Sequence, residues 1–114
     1  MAGISVSPPQ WKRRRGIIPA GNSKVIFEYP VSDLRSVKII ASFFNVTQDK
    51  TKQIEVGIIN SEGAISDQVN KLGSALNLAV VSSENGGNLQ VTATNNEIFE
   101  LKYNLIFVVF RANF

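Results

Sequence analysis

The sequence predicts an all-β fold, an antiparallel β-sandwich of jelly-roll or immunoglobulin-like type with an extended N-terminal arm. From residue 24 onward, short segments rich in Val, Ile and Phe alternate with clusters of Gly, Asn, Asp and Ser, a pattern typical of sandwiches and barrels. Hydrophobic residues make up 44% of the sequence, which is enough to form a core. A chain of 114 residues is long enough for one such core and too short for two. The first 23 residues show no sustained period of 2 or 3.6.

Residues 1–23 are therefore predicted to form an extended basic arm, and residues 24–114 the β-sandwich domain. The consecutive prolines Pro8 and Pro9 favour a polyproline-like extension. Lys12–Arg15 supply four positive charges to a chain whose net charge is +3, so the rest of the sequence is close to neutral. We expect a chain without residues 1–16 to keep its folded domain.

Six or seven strands are expected in the domain. The predicted segments are Lys24–Tyr29, Val37–Val46, Gln53–Asn60, Leu76–Val81, Leu89–Thr94 and a long one at Glu97–Phe110. Apolar residues on both faces of Val37–Val46 predict a central position in a sheet. Asn85-Gly86-Gly87 predicts a hairpin turn, because these residues tolerate positive φ. Between Ala64 and Asn77 helical spacing competes with Gly73, and we favour a short strand and a loop.

The composition argues against an enzyme. The chain has no cysteine and no histidine, which excludes a disulfide framework, a thiolate metal site and a histidine base. The nine acidic residues fall mostly in turns or at solvent-facing strand positions, and no Ser-x-x-Lys or Gly-x-Ser-x-Gly motif occurs. We predict no catalytic residue, no metal and no cofactor. Since neither a signal-peptide pattern nor a run of ~20 apolar residues is present, we also expect a soluble, non-secreted protein without a membrane partner.

The candidate partner-binding residues are Trp11, Lys12, Arg13, Arg14 and Arg15. Arginine pairs bidentately with carboxylates or phosphates, and tryptophan is well suited to anchoring in a pocket. Docking on a neighbouring protein is favoured over nucleic acid, because the body of the chain offers no basic strand face and no aromatic platform alternating with Lys or Arg. A solvated tail that only aids solubility is the third interpretation.

The last predicted strand gives a second indication of assembly. Its segment Leu105–Phe110 is apolar on both faces, whereas a two-layer sandwich buries one face of each sheet. Either the arm or a neighbouring subunit is expected to cover the second face. Ile106, Val108 and Phe110 are therefore a candidate assembly face, and we expect self-association or dependence on a partner.

Several short segments of residues 24–110 resemble a β-sandwich domain of virion structural proteins in tailed bacteriophages. The resemblance is carried by Leu34–Ile39, Gln53–Val56, Leu72-Gly73 and Gly86–Val91. It implies a non-enzymatic accessory capsid, neck or tail component that binds copies of itself or other virion proteins. It also implies a location in the virion after assembly in the host cytoplasm. The alternative is a carbohydrate- or receptor-binding module at a phage tail tip.

Overall fold

The structure, a computed structural model, describes residues 11–61 and 63–111 as β-strands joined by short connections. The strands are Lys12–Ile18 (β1), Ser23–Pro30 (β2), Leu34–Asn45 (β3), Lys50–Ser61 (β4), Ala64–Gly73 (β5), Leu78–Asn85 (β6), Asn88–Asn95 (β7) and Leu101–Arg111 (β8). A 3-10 turn at Val31–Asp33 joins β2 to β3. The predicted all-β class is confirmed for the described residues, in which no helix is long and apolar enough to cross a bilayer.

The strands form two antiparallel sheets, as predicted. A five-stranded sheet has the order β1-β8-β3-β4-β5, and a three-stranded sheet has the order β2-β7-β6. The β3-β4-β5 meander and the β6-β7 hairpin each stay within one sheet, whereas the chain changes sheets between β1 and β2, β2 and β3, β5 and β6, and β7 and β8. The jelly-roll or immunoglobulin-like subdivision stays a prediction.

The core lies between the two sheets and is built by the alternation of apolar and polar residues along the strands. The following inward-pointing apolar residues of β3, β4 and β7 are at most 2% exposed: Val37, Ile39, Ala41, Phe43, Ile54, Val56, Ile58, Leu89, Val91 and Ala93. Aromatic rings join the layers, because Phe27 of β2 meets Phe107 of β8 edge to face with 4.9 Å between ring centres. β3 is the middle strand of its sheet, which confirms its predicted central position.

The hairpin predicted around Asn85-Gly86-Gly87 is confirmed. Asn85 pairs with Asn88, and the two glycines between them have φ values of 60° and 85°. A two-residue loop with positive φ at both positions matches the twist of the flanking strands. β6 consequently continues to Asn85 instead of ending at Val81.

The segment after residue 64 is more regular than predicted. β5 runs without interruption from Ala64 to Gly73 and pairs with β4 along its whole length. The helical spacing of its apolar residues was therefore misleading: Ile65 and Val69 are partly buried against the core, while Leu72 remains 72% exposed. Pairing with β4 outweighs a weak local helical tendency.

The predicted boundary at residue 23 is wrong for the part of the arm that the structure describes. Residues 12–18 form β1, the edge strand of the five-stranded sheet, in register with β8 from Lys12 opposite Phe107 to Ile18 opposite Leu101. Ile18 is fully buried in the core. The part of the predicted arm at residues 1–10 lies outside the described residues.

Asn95 fixes the end of β1 to the three-stranded sheet. Its side chain is completely buried, and its Nδ2 donates hydrogen bonds to the carbonyl oxygens of Ile18 at 3.0 Å, Pro19 at 3.3 Å and Phe99 at 2.9 Å. Its Oδ1 accepts a hydrogen bond from the backbone N–H of Glu97 at 2.9 Å. A buried amide with all these partners is stabilising, because it satisfies backbone groups that would otherwise be desolvated.

Candidate functional site: the basic edge and the outer face

The four predicted docking cations, Lys12, Arg13, Arg14 and Arg15, lie side by side in β1 and are called the basic edge below. Because side chains alternate along a strand, they divide between the two faces of the sheet. Arg13 and Arg15 lie opposite Ile106 and Asn104 and point to the face that is turned away from the three-stranded sheet. This face is called the outer face below.

The other two cations of the basic edge point toward the inner side. Lys12 lies opposite Phe107 and Arg14 opposite Leu105. The Arg14 Cζ is 5.1 Å from the centre of the Phe107 ring, within the range of a cation–π contact. The Phe107 ring therefore contacts one cation of the basic edge, and it also packs against Phe27 in the core.

Gly16 permits the close pairing of β1 with β8. A Cβ built on Gly16 would lie 2.7 Å from the Tyr103 Oη and 2.9 Å from the Lys24 Nζ. The Tyr103 ring thus leans across the glycine, and Lys24 stacks on the same ring with its Nζ 5.5 Å from the ring centre. This contact positions the strand that carries the basic edge.

The basic edge is open to solvent in two ways. All four of its side chains are exposed. None of them forms an ion pair with a carboxylate of the described residues, in which Arg111 pairs with Asp33. β1 also pairs with β8 on one side and with no other described strand on its second side. The backbone N–H and C=O groups along that second side are unpaired within residues 11–61 and 63–111.

Trp11 directly precedes β1 and is 48% exposed. The structure therefore brings it to the start of the basic edge, as its place in the sequence implies. Half of its large surface is accessible to a partner.

The outer face is more basic than the sequence predicted. Lys102 of β8 is two residues from Asn104, the partner of Arg15, and therefore points to the same face. Lys38 of β3 lies opposite Val108 of β8 and points to this face as well. Two carboxylates accompany these cations: Glu55 lies opposite Ile40, and Glu100 borders the face beside Lys102 and Phe44. The cations of this face come from three different strands, and β3 and β8 contribute one lysine each.

Ile106, Val108 and Phe110, the candidate assembly face, all point to the outer face, opposite Ile40, Lys38 and Ser36 respectively. Their exposure differs. Val108 is only 5% exposed, Ile106 is half-buried, and Phe110 is 44% exposed. A partner could therefore contact Phe110 and part of Ile106, whereas Val108 is already covered.

Two shallow depressions lie on the outer face. The larger, about 350 Å³, is bordered by Lys38, Gln68 and Phe110, and has Gly57 in its lining. A Cβ on Gly57 would meet no atom within 4 Å, so the missing side chain leaves this part of the sheet open. The smaller, about 280 Å³, is lined by the basic residues Arg15 and Lys102 together with the ring of Phe44.

Tyr29, Asp33 and Arg111 form a hydrogen-bonded cluster at the end of β8. The Tyr29 Oη donates to the Asp33 Oδ2 at 2.9 Å, and the Arg111 Nε donates to the same oxygen at 2.8 Å. The hydrogen bond from Arg111 lowers the pKa of Asp33, and that from Tyr29 lowers it further. Burial, followed by the contact with Asp33, raises the pKa of Tyr29. The cluster ties the end of β8 to the β2–β3 connection.

The chemistry available at the basic edge and the outer face is recognition. Cations, exposed aromatic rings and unpaired backbone groups can bind a partner without any bond being made or broken. Within residues 11–61 and 63–111, no three residues among Asp, Glu, Cys and His come together to hold a metal ion. Absence of enzymatic activity stays a prediction.

Sequence reasoning did not place Lys38, Lys102 and Phe44 on the same face as Arg13 and Arg15. Alternation along each strand shows which residues share its face. It does not show which strands are adjacent. Lys102 lies opposite Phe44 because β8 pairs with β3, and it lies near Arg15 because β8 also pairs with β1. The pairing of strands far apart in sequence was the missing information.

No protein-family model matches the sequence, and neither does any curated protein. Among solved structures, two phage tailspike proteins are similar to most of this chain. The tailspike protein of Acinetobacter baumannii phage AM24 is 7% identical with a TM-score of 0.49, over 91% of this chain and 27% of that one. The tailspike protein of Acinetobacter phage vB_ApiP_P1 is 9% identical with a TM-score of 0.46, over 97% of this chain and 23% of that one. The chain spans about a quarter of each tailspike, and similarity at this level assigns neither a family nor a function.

Proposed function

We propose that the chain is a non-enzymatic structural protein of a tailed-bacteriophage virion, which binds copies of itself or neighbouring particle proteins. The observation that carries the binding role is the basic edge. Four exposed cations lie on an edge strand that is fixed to a rigid sheet, and no carboxylate of the described residues pairs with them. The virion assignment rests on the sequence resemblance of residues 24–110 to such proteins, which implies a location in the particle.

The basic edge supports docking because its geometry is fixed before a partner arrives. A disordered basic tail loses conformational entropy when it binds, whereas β1 is already ordered by its pairing with β8. Phe107 beneath Arg14 further restrains one guanidinium. Exposed cations arranged in this way, like those of the basic edge, attract partners of opposite charge and speed their association.

Copurification with virions tests the proposal. Particles from the source culture are purified by density gradient and probed for the chain, which we expect at a constant copy number per particle. The variant Arg13→Thr/Arg15→Thr keeps β-branched residues in β1 and should lose incorporation. The matched control Arg35→Thr/Lys71→Thr removes the same charge from exposed positions outside β1 and should incorporate normally. Absence of the chain from particles would refute the virion role.

A carbohydrate-binding module at a tail tip is the second candidate. It is favoured by the larger depression on the outer face, where the half-exposed ring of Phe110 lies beside the hydrogen-bonding side chains of Lys38 and Gln68. Sugars stack on aromatic rings and bind through a few polar groups. On a glycan array, a signal lost in Phe110→Ala and kept in Arg13→Thr/Arg15→Thr would favour this function over docking through the basic edge.

A further inference from the structure

We propose that the second side of β1 accepts an extended acidic segment of another protein, which adds as a sixth strand of the five-stranded sheet. The inference deepens the proposed function and rests on it, because it names the partner chemistry and the mode of docking. It is carried by three features of β1: its unpaired backbone, its cations on both faces and the charges of the other sheet edges.

The backbone of β1 offers a template for strand addition. All seven residues of Lys12–Ile18 are extended and in register with β8, so that their second side presents N–H and C=O groups in regular alternation. A strand added there would lie about 4.8 Å away. Its main chain would gain hydrogen bonds that do not depend on its sequence, as in other β-augmentation complexes.

The side chains of β1 define the sequence of the added strand. Arg13 and Arg15 point to the outer face, while Lys12 and Arg14 point to the inner side. Side chains directly opposite each other on neighbouring strands are about 5 Å apart, and opposite charges there are stabilising. Successive acidic residues on the added strand would therefore meet a cation on each face, and the arginines could bind the carboxylates bidentately.

A second copy of this chain does not supply such a strand from its described edges. Pairing β1 with the β1 of another copy would place cations against cations, which is destabilising. The other strands at sheet edges are β2, with Lys24 and Glu28, β5, with Asp67 and Lys71, and β6, with Glu84 alone. None of these is acidic enough to neutralise four cations, so the segment belongs to another protein.

A nucleic acid fits this edge less well than a peptide. Phosphate oxygens accept hydrogen bonds, and they would match the N–H groups of the edge but face its C=O groups unfavourably. A peptide backbone supplies donors and acceptors in the same alternation as β1. The charges of β1 could alternatively act only to keep other strands away, a common role of charged edge residues, and this role predicts no strand addition.

Binding of a synthetic peptide tests the inference. The probe is acetyl-Thr-Val-Glu-Glu-Glu-Glu-Val-Thr-amide, titrated by calorimetry against the full chain at physiological salt. The control peptide has the same sequence, but the backbone nitrogen of each glutamate carries a methyl group. This change keeps the four carboxylates and removes the four backbone N–H donors. We expect the control to bind at least about tenfold more weakly. In hydrogen exchange, the amides of residues 12–18 that face away from β8 should gain protection with the first peptide alone.

Protein variants and a nucleic-acid probe complete the experiment. Arg13→Thr/Arg15→Thr should weaken peptide binding, and Arg35→Thr/Lys71→Thr should not. Equal binding of the two peptides would show docking by charge alone and would overturn strand addition while leaving the proposed function intact. No binding of the first peptide, or tighter binding of a thymidine oligodeoxynucleotide under the same conditions, would also overturn the inference. Virion incorporation is measured separately, so the two proposals can fail independently.

Discussion

The Asn95 side chain donates a hydrogen bond to the carbonyl oxygen of Ile18 at 3.0 Å, and so joins the last residue of β1 to the last residue of β7. The same amide reaches the Phe99 carbonyl in the connection to β8. One buried residue therefore holds together both sheets and the strand that carries the basic edge.

Replacing Asn95 by alanine should lower the free energy of unfolding by about 2 to 4 kcal/mol, because several backbone groups lose their buried partner. Urea denaturation at neutral pH measures the loss. The exposed neighbour gives the control, since Asn96→Ala should change stability by less than about 0.5 kcal/mol. A similar effect of the two substitutions would mean that the buried hydrogen bonds contribute little.

Gly16→Ala should destabilise the protein by about 1 to 3 kcal/mol, because the added methyl group collides with the Tyr103 ring. Gly57→Ala is the matched control, because its methyl group meets open space, and it should be neutral or slightly stabilising. Thermal melts of both variants compare them directly. If Gly16→Ala were as stable as Gly57→Ala, β1 would not pack against Tyr103 as closely as the structure shows.

Removal of residues 1–16 should strongly destabilise or unfold the protein, contrary to the expectation from the sequence. The deletion takes away most of β1 and leaves one side of β8 unpaired. Substituting threonine at all four positions of the basic edge should instead keep the fold to within about 1 kcal/mol, since threonine is compatible with strands. Circular dichroism and urea melts distinguish the two variants, and a fully folded deletion variant would contradict the prediction.

Acid should weaken the Tyr29–Asp33–Arg111 cluster. The pKa of Asp33 lies below its ordinary value of 3.8 in the folded protein, so its contribution is present above that value and is lost as the pH falls through the folded pKa. We expect the urea midpoint to fall less between about pH 5 and pH 2 in Asp33→Asn than in the unsubstituted protein. Parallel curves for the two proteins would show that Asp33 is not linked to folding.

The sequence predicted those parts of the fold that are determined by neighbouring residues, and it missed those that depend on pairing between distant strands. The β6–β7 hairpin was predictable because Gly86 and Gly87 set the turn by their own conformational preference. The central position of β3 followed from apolar residues on both faces. β1 was missed because its first four residues are all cationic, and a run of like charges carries no alternation of apolar and polar residues.

The candidate site was only partly predictable for the same reason. The sequence identified the basic edge as a group of candidate docking residues, but it could not place them on a sheet. Their strand conformation depends on pairing with β8, which lies near the other end of the described chain. Lys38 and Lys102 join Arg15 on the outer face through that pairing, so the extent of the basic surface is a property of the tertiary structure.

The position of β8 between β1 and β3 has a consequence for synthesis of the protein. β8 is the last described strand to leave the ribosome, yet it is an inner strand of the five-stranded sheet. Until it emerges, β1 has no described neighbour in its sheet and the apolar residues of β3 lack one side of their cover. We therefore expect slow folding in which the five-stranded sheet is completed only after β8 has been translated.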